Sequence, residues 1–213
     1  MDGRLDLLFG LVSRGETFAD IGCDHGYIAE RVLKENKFEK VIVSDISSKS
    51  LQKAVDLLKP YGDRVKAIVS DGFENFDILP DEVMIAGMGG EEIIKILSNA
   101  PCLPKRLVLA PQKNTDKLRR FLVSIGYKIL KDFTFKDRCK FYDAIVAEEG
   151  VDEYLETEYL YGRDNLKDFP DAFKEKLLIE AKMLEDIIAL NSASKSSKED
   201  AKIRLENIRK ILK

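Results

Sequence analysis

The sequence predicts an α/β fold. A doubly wound sheet of five parallel strands is closed by an antiparallel hairpin, and an antiparallel helical hairpin follows it. Three observations carry this expectation. Short, near-continuous apolar runs alternate with helical patterns through about residue 149, as in parallel strands buried on both faces. Two strand-like runs then come with only a short charged link between them, so they pair antiparallel. Beyond Pro170, apolar residues recur at 4-3-4 spacing in two segments, the pattern of two narrow helical seams.

Taken in order, residues 1–16 hold apolar runs broken by Asp6 and Arg14, and are expected to be neither a signal peptide nor a membrane span. Parallel strands are expected at 17–22 (TFADIG), 40–45 (KVIVSD), 65–71 (VKAIVSD), 82–87 (EVMIAG) and 106–111 (RLVLAP). Helical patterns lie between most of them, at roughly 26–36, 47–59, 91–98 and 114–125. Residues 127–135 and 141–149, joined by KDRCK, make the antiparallel hairpin. Residues 150–169 read as a polar, acidic connector.

Helices are expected over 171–192 and 197–213, separated by NSASKSS. Their seams are Leu177, Ala181, Leu184 and Ile188, and Ala201, Leu205, Ile208 and Leu212. The pair either braces the preceding domain or grips a substrate. The expected division is a cofactor-binding domain over 1–152 and a helical, coiled-coil-like domain over 153–213. Five parallel strands closed by a hairpin is the Rossmann-like sheet of class I methyltransferases, an analogy of fold that does not establish activity.

Composition narrows the classes. The net charge of −3 gives no bulk case for nucleic acid. Cys23, Cys102 and Cys139 are an odd set without metal-like spacing, which fits a reducing cytoplasm and calls for no metal.

The stretch ADIGCDHGYIAERV, residues 19–32, carries the first chemistry. Glycine turns after a first strand usually let backbone amides approach a pyrophosphate. Here Asp24 stands two residues after Gly22, with Asp20 just before it, and no lysine or arginine lies in the turn. Carboxylates repel phosphate but suit S-adenosylmethionine, which bears a sulfonium and an ammonium group. Asp45 ends the second strand, where such sheets place an acid for ribose hydroxyls, and Asp71-Gly72 ends the third, where Asp71 is placed to accept from an adenine amino group. Each Asp alone could equally cap a helix.

IAGMGG, residues 85–90, is a second glycine concentration, read either as a tight strand–helix turn or as backbone approaching a ligand with positive φ at Gly87, Gly89 and Gly90. In LAPQKN, 109–114, Gln112 and Asn114 are placed for a base edge, and Asn114 is also a candidate helix cap. Residues 105–140 hold eleven cations, among them Arg119 and Arg120, against three anions. That segment is +8 and leaves −11 for the rest, an asymmetry that suggests either a polyanion on one face or a solvated surface.

ADIGCDHGY, IAGMGG, PQKN and YDAIVAEEG together resemble the bacterial tRNA adenine-N1 methyltransferases called TrmK, which act on adenine 22. The resemblance spans residues 4 to about 150, with Cys23 for the family's serine, Gly26 for its alanine, Asp45 for its glutamate, and Pro111-Gln112-Lys113-Asn114 for its Q-P-N. It implies S-adenosylmethionine as cofactor, tRNA as partner and a cytoplasmic protein. The implied cofactor set is Asp20, Ile21, Gly22, Cys23, Asp45, Ile46, Asp71, Gly72, Ala86, Gly87 and Met88. Asp24, His25 and Tyr27 would sit between cofactor and target base. Asp24 would stabilise charge or take a proton, His25 orient it, and Tyr27 stack, hydrogen-bond or simply pack. The resemblance also implies that Arg4 lies in an R-L element that closes over the site; with the base-edge and basic-patch readings above, the expected substrate set is Arg4, Gly89, Gly90, Gln112, Asn114, Arg119 and Arg120. The alternatives are an S-adenosylmethionine-dependent methyltransferase acting on another RNA base or on a small molecule, and a non-catalytic nucleic-acid-binding module.

Overall fold

A computed structural model of the chain describes residues 3–190 and 194–213. Its strands are β1 (Gly15–Ile21), β2 (Phe38–Asp45), β3 (Val65–Val69), β4 (Glu82–Ala86), β5 (Arg106–Ala110), β6 (Tyr127–Asp137) and β7 (Lys140–Glu149). They form one sheet in the order β3-β2-β1-β4-β5-β7-β6. β1 to β5 run parallel, and β7 is antiparallel to both β5 and β6. The expected sheet is present. Chain order reverses between β1 and β4, so the carboxyl ends of these two strands flank the point where open α/β sheets bind ligands.

The helices are α1 (Gly3–Leu11), α2 (Tyr27–Lys34), α3 (Ser48–Leu58), α4 (Gly90–Ser98), α5 (Thr115–Ser124), α6 (Glu156–Tyr161), α7 (Arg163–Asp168), α8 (Asp171–Ala189) and α9 (Lys195–Ile211). Side chains of a strand alternate between faces, and β1 shows the consequence. Phe18 joins Leu8, Leu33 and Leu58 of α1, α2 and α3 on one face, whereas Ala19 and Ile21 join Ile93 and Leu118 of α4 and α5 on the other. Both faces are covered, which is why the strands read as continuous apolar runs.

Two elements go beyond the sequence reading. α1 forms where charges interrupt the apolar runs, because Leu8 and Phe9 point inward while Asp6 points outward and pairs with Arg31 of α2. The connector 150–169 contains α6 and α7. Each has only six residues, too few for periodicity to show. Tertiary bonds hold them: the buried Asn165 of α7 donates to the Tyr161 carbonyl at 2.7 Å and accepts from the Thr134 amide of β6 at 2.7 Å.

In the helical hairpin, Leu177, Leu184, Ala201, Leu205 and Ile208 are buried together, with Ala181, Ile188 and Leu212 around them, as the 4-3-4 spacing requires. Residues 191–193, which belong to the expected helix end and to the NSASKSS run, lie outside the described residues. The base of α8 is tied to the sheet by Lys176–Asp143 at 2.8 Å and Lys136–Glu175 at 2.6 Å. No helix of the described residues is long and apolar enough to cross a membrane.

Candidate active site

The chain leaves β1 through a loop with three left-handed residues, Gly22 (φ 73°), Asp24 (φ 44°) and Gly26 (φ 72°). Glycine meets no steric penalty there, and aspartate is among the few other residues that tolerate it. The loop's first amides are already engaged: Gly22 and Cys23 both donate to the Ser44 carbonyl, at 2.8 and 3.1 Å. A pyrophosphate needs such amides free. The second glycine motif lies directly over this turn, since a Cβ built on Gly22 would meet Met88 Cε at 2.1 Å. The two motifs thus form the walls of one crevice, between Ile21 and Ala86 at the ends of paired strands β1 and β4.

Carboxylates line this crevice. Asp20 is only 6% exposed and accepts no hydrogen bond from the described residues. Burial, and then the charge of Asp45, push its carboxyl up to about 7. Asp45 directs Oδ1 to the Ser47 amide at 2.8 Å, which starts α3. Asp71 lies 3.5 Å from Lys95 Nζ at the exposed edge, with Gly72 left-handed beside it. Burial, Asp20 and Asp45 push the Cys23 thiol up, so it stays protonated and behaves as packing against the α1–α3 face. Ile46, beside Asp45, is 70% exposed. An apolar side chain in the open at the carboxyl edge is a surface that a purine ring would cover.

The outer rim holds Asp24, His25 and Tyr27. Nε2 of His25 lies 3.4 Å from Oδ2 of Asp24, and the His25 and Tyr27 rings stack with centroids 5.3 Å apart and planes 10° from parallel. Tyr27 is about half exposed, so it is not a core residue of α2. The structure adds a partner that the sequence did not suggest: Lys53 Nζ of α3 is 3.1 Å from Asp24 Oδ1. Lys53 is one of several exposed polar residues on its helix, and nothing in the local pattern distinguishes it.

The loop after β5 packs on the second glycine motif. Gln112 N donates to the Met88 carbonyl at 2.9 Å, and Gly90 N to the Lys113 carbonyl at 2.8 Å. A Cβ on Gly90 would stand 2.3 Å from the Asn114 carbonyl oxygen. The expectation that Gly90 meets a substrate is therefore corrected: it is buried, and glycine is required there by the neighbouring backbone. Of this motif only Gly87 has positive φ, at 85°. Gly89 is extended at the start of α4 and rests against the Lys113 side chain. Asn114 precedes α5 with φ 55° but does not cap it through its side chain. Gln112 is exposed.

Arg4 stacks on the Tyr142 ring at 5.4 Å. Leu109 pairs with Ile145, so Tyr142 lies past the end of β5 and Arg4 stands at the carboxyl edge of the sheet. Arg119 is corrected outright. It is 2% exposed and grips Asp132 with Nε at 2.8 and 2.9 Å, so it belongs to the interior. Arg120 is half-buried, pairs with Glu156 and covers the Tyr159 ring. Much of the +8 segment is neutralised by acids from elsewhere in the chain: Arg106 by Glu82 and Glu148, Lys117 by Glu91, Lys136 by Glu175. Lys105, Lys113, Lys128 and Lys131 keep no ion pair among the described residues.

A parallel sheet closed by a hairpin, with a glycine turn at its switch point, is the architecture of class I methyltransferases. A family model described as "Methyltransferase domain" matches residues 1–145. A Mycoplasma pneumoniae protein named "Putative tRNA methyltransferase" is 33% identical over 178 residues, 80% of this chain and 83% of that one. The Bacillus subtilis tRNA (adenine(22)-N(1))-methyltransferase is 26% identical over 154 residues, 69% of this chain and 64% of that one. The solved structure of Streptococcus pneumoniae Sp1610 in complex with S-adenosyl-L-methionine superimposes with TM-score 0.90 at 25% identity, covering all of both chains. The chain belongs to the methyltransferase family, among these tRNA methyltransferases.

Proposed function

We propose that this protein transfers a methyl group from S-adenosylmethionine to N1 of an adenine in tRNA, position 22 by its kinship to the Bacillus subtilis enzyme. The observation that carries the reading is Asp20: a buried carboxylate with no donor among the described residues, beside a second carboxylate, at the switch point of the sheet. Such a pair suits a cationic or hydroxyl-bearing guest, and the ammonium and ribose groups of S-adenosylmethionine are of that chemistry. The residues present fit the cofactor. Asp20 would hold its ammonium end, Asp45 its ribose, and Ile46 and Asp71 the purine. When bound, the cofactor supplies a methyl group on a cationic sulfur.

Adenine N1 has an in-plane lone pair, so no base is needed to make it a nucleophile. The protein's work is to expose the adenine, orient N1 and stabilise positive charge on the methylated ring. The His25–Tyr27 stack at the open rim is a platform for an extruded base. Asp24, close to both His25 and Lys53, supplies the negative charge that faces the methylated ring. Arg4, Gln112 and Asn114 border the same edge. A division into a methyltransferase unit, 1–152, and a helical unit, 153–213, is part of this proposal, supported by the separate apolar cluster of the hairpin. The reading implies a cytoplasmic protein, working where tRNA is.

Labelled S-adenosylmethionine and undermodified tRNA test it. The digest is expected to contain labelled 1-methyladenosine, and no incorporation into any tRNA overturns the proposal. Asp24→Ala is expected to bind cofactor within a few-fold of wild type, read by calorimetry, while turnover drops about a hundredfold or more.

A further inference from the structure

A second concavity lies just across the loop 112–114 from the crevice. It has a volume of about 250 Å³ and sits between this loop, the β6/β7 hairpin and helices α6, α8 and α9. Gln112 separates the two spaces. Its amide is bonded to Met88, and its Nε2 stands 4.0 Å from a Cβ built on Gly87 at the crevice.

The polar floor is held rigid by Asp143. This buried carboxylate accepts from Thr134 Oγ1 at 2.6 Å, from Thr115 Oγ1 at 2.9 Å and from Lys176 Nζ at 2.8 Å. Thr115 directly follows Asn114, so the same carboxylate fixes the end of the loop. The cations that line the cleft are mostly consumed by the protein itself: Lys176 by Asp143, Arg204 by Glu180, Arg119 by Asp132. The cleft therefore has little excess charge with which to hold a phosphate. Among the described residues, the side-chain amides of Gln112 and Asn114 and the ammonium of Lys113 on the loop wall have no hydrogen-bond or ion-pair partner. A planar amide offers one acceptor and two donors, the complement of a nucleobase edge.

We propose that this cleft receives the unpaired nucleotide next to the target adenine, its base edge read by Gln112 and Asn114. The inference rests on the tRNA methyltransferase reading and deepens it. Extruding one base from an RNA strand displaces its neighbour, and a protein that holds both stabilises the opened strand. The cleft is the space adjoining the crevice on the side where Gln112 and Asn114 stand.

Leu160 of α6 lines the cleft and is 39% exposed, so Leu160→Trp fills the space without entering the core. Leu160→Trp is expected to raise KM for tRNA about tenfold or more, with kcat within about twofold and with cofactor affinity and unfolding midpoint unchanged, and the double variant Gln112→Ala/Asn114→Ala to raise KM by a similar factor. A KM equal to wild type in both variants overturns the inference. A second measurement needs no turnover. In an RNA hairpin with 2-aminopurine beside the target adenine, binding to wild-type protein is expected to change the probe's fluorescence, and Leu160→Trp to abolish the change. Equal signals from the two proteins at either neighbouring position overturn the cleft. A probe signal that Leu160→Trp removes, from a wild-type protein that transfers no methyl group, upholds the cleft and overturns the methyl-transfer reading alone.

Discussion

Two groups of buried carboxylates lie on the same sheet and differ in what surrounds them. Asp132 and Asp143, on the hairpin β6/β7, are saturated. Asp132 receives Arg119, the Arg163 amide at 3.3 Å and the Tyr154 hydroxyl at 3.2 Å. Asp143 receives Thr115, Thr134 and Lys176. Burial pulls the Asp143 carboxyl up, but Lys176 and Arg119 beside it and the hydrogen bonds from Lys176 and Thr134 hold it below its usual range. Asp20, at the end of β1, has no donor among the described residues, and Asp45 adds a second negative charge. A buried carboxylate with charge partners stays ionised and fixes structure, while one without them keeps its proton toward neutral pH and suits a cationic guest. That difference separates the frame of this molecule from its working site.

The contrast can be broken at either end. The largest effect is expected from Arg119→Met, which leaves Asp132 buried and uncompensated. It should cost about 3–5 kcal/mol of stability in denaturant unfolding. A loss under about 1 kcal/mol would show that Asp132 does not depend on its partner.

Asp20→Asn should act in the opposite sense. The folded chain keeps a proton on Asp20 up to about pH 7, whereas the unfolded chain loses it near pH 4. The native state binds the extra proton between these values, so this group's contribution to stability falls as pH rises across that window. Asp20→Asn is expected to be more stable than wild type at pH 8, on the order of 2–4 kcal/mol, with the gain vanishing below about pH 4. It should also weaken S-adenosylmethionine binding about tenfold to a hundredfold, measured by calorimetry. A variant that binds normally removes Asp20 from the cofactor site. Asp143 carries the reverse dependence, contributing stability that is present above about pH 4 and lost as pH falls through its depressed folded value. Asp143→Asn should therefore flatten the acid limb of the stability profile.

The smallest effect concerns the exposed pair at the rim. Lys53→Met is expected to change stability by less than about 1 kcal/mol, because both partners of the Asp24 pair are solvated. A larger loss in unfolding would make Lys53 part of the frame.

The sequence by itself determined the sheet, the acidic character of the first glycine turn and the seams of the helical hairpin. These follow from periodicity and from residue chemistry within a few positions, and the strand ends that hold Asp20 and Asp45 were legible for the same reason, while β3 ends at Val69, two residues short of Asp71. Only the tertiary structure decided which charges are free. Arg119 looked like part of a basic face, but its partner Asp132 lies 13 positions on and is brought to it by the packing of α5 on the hairpin. Lys53 meets Asp24 across 29 positions, and Gly90 is glycine because a loop more than 20 residues later lies against it. Electrostatic and steric complementarity act through space, so whether a charge binds a guest or its own fold is settled only when distant elements come together.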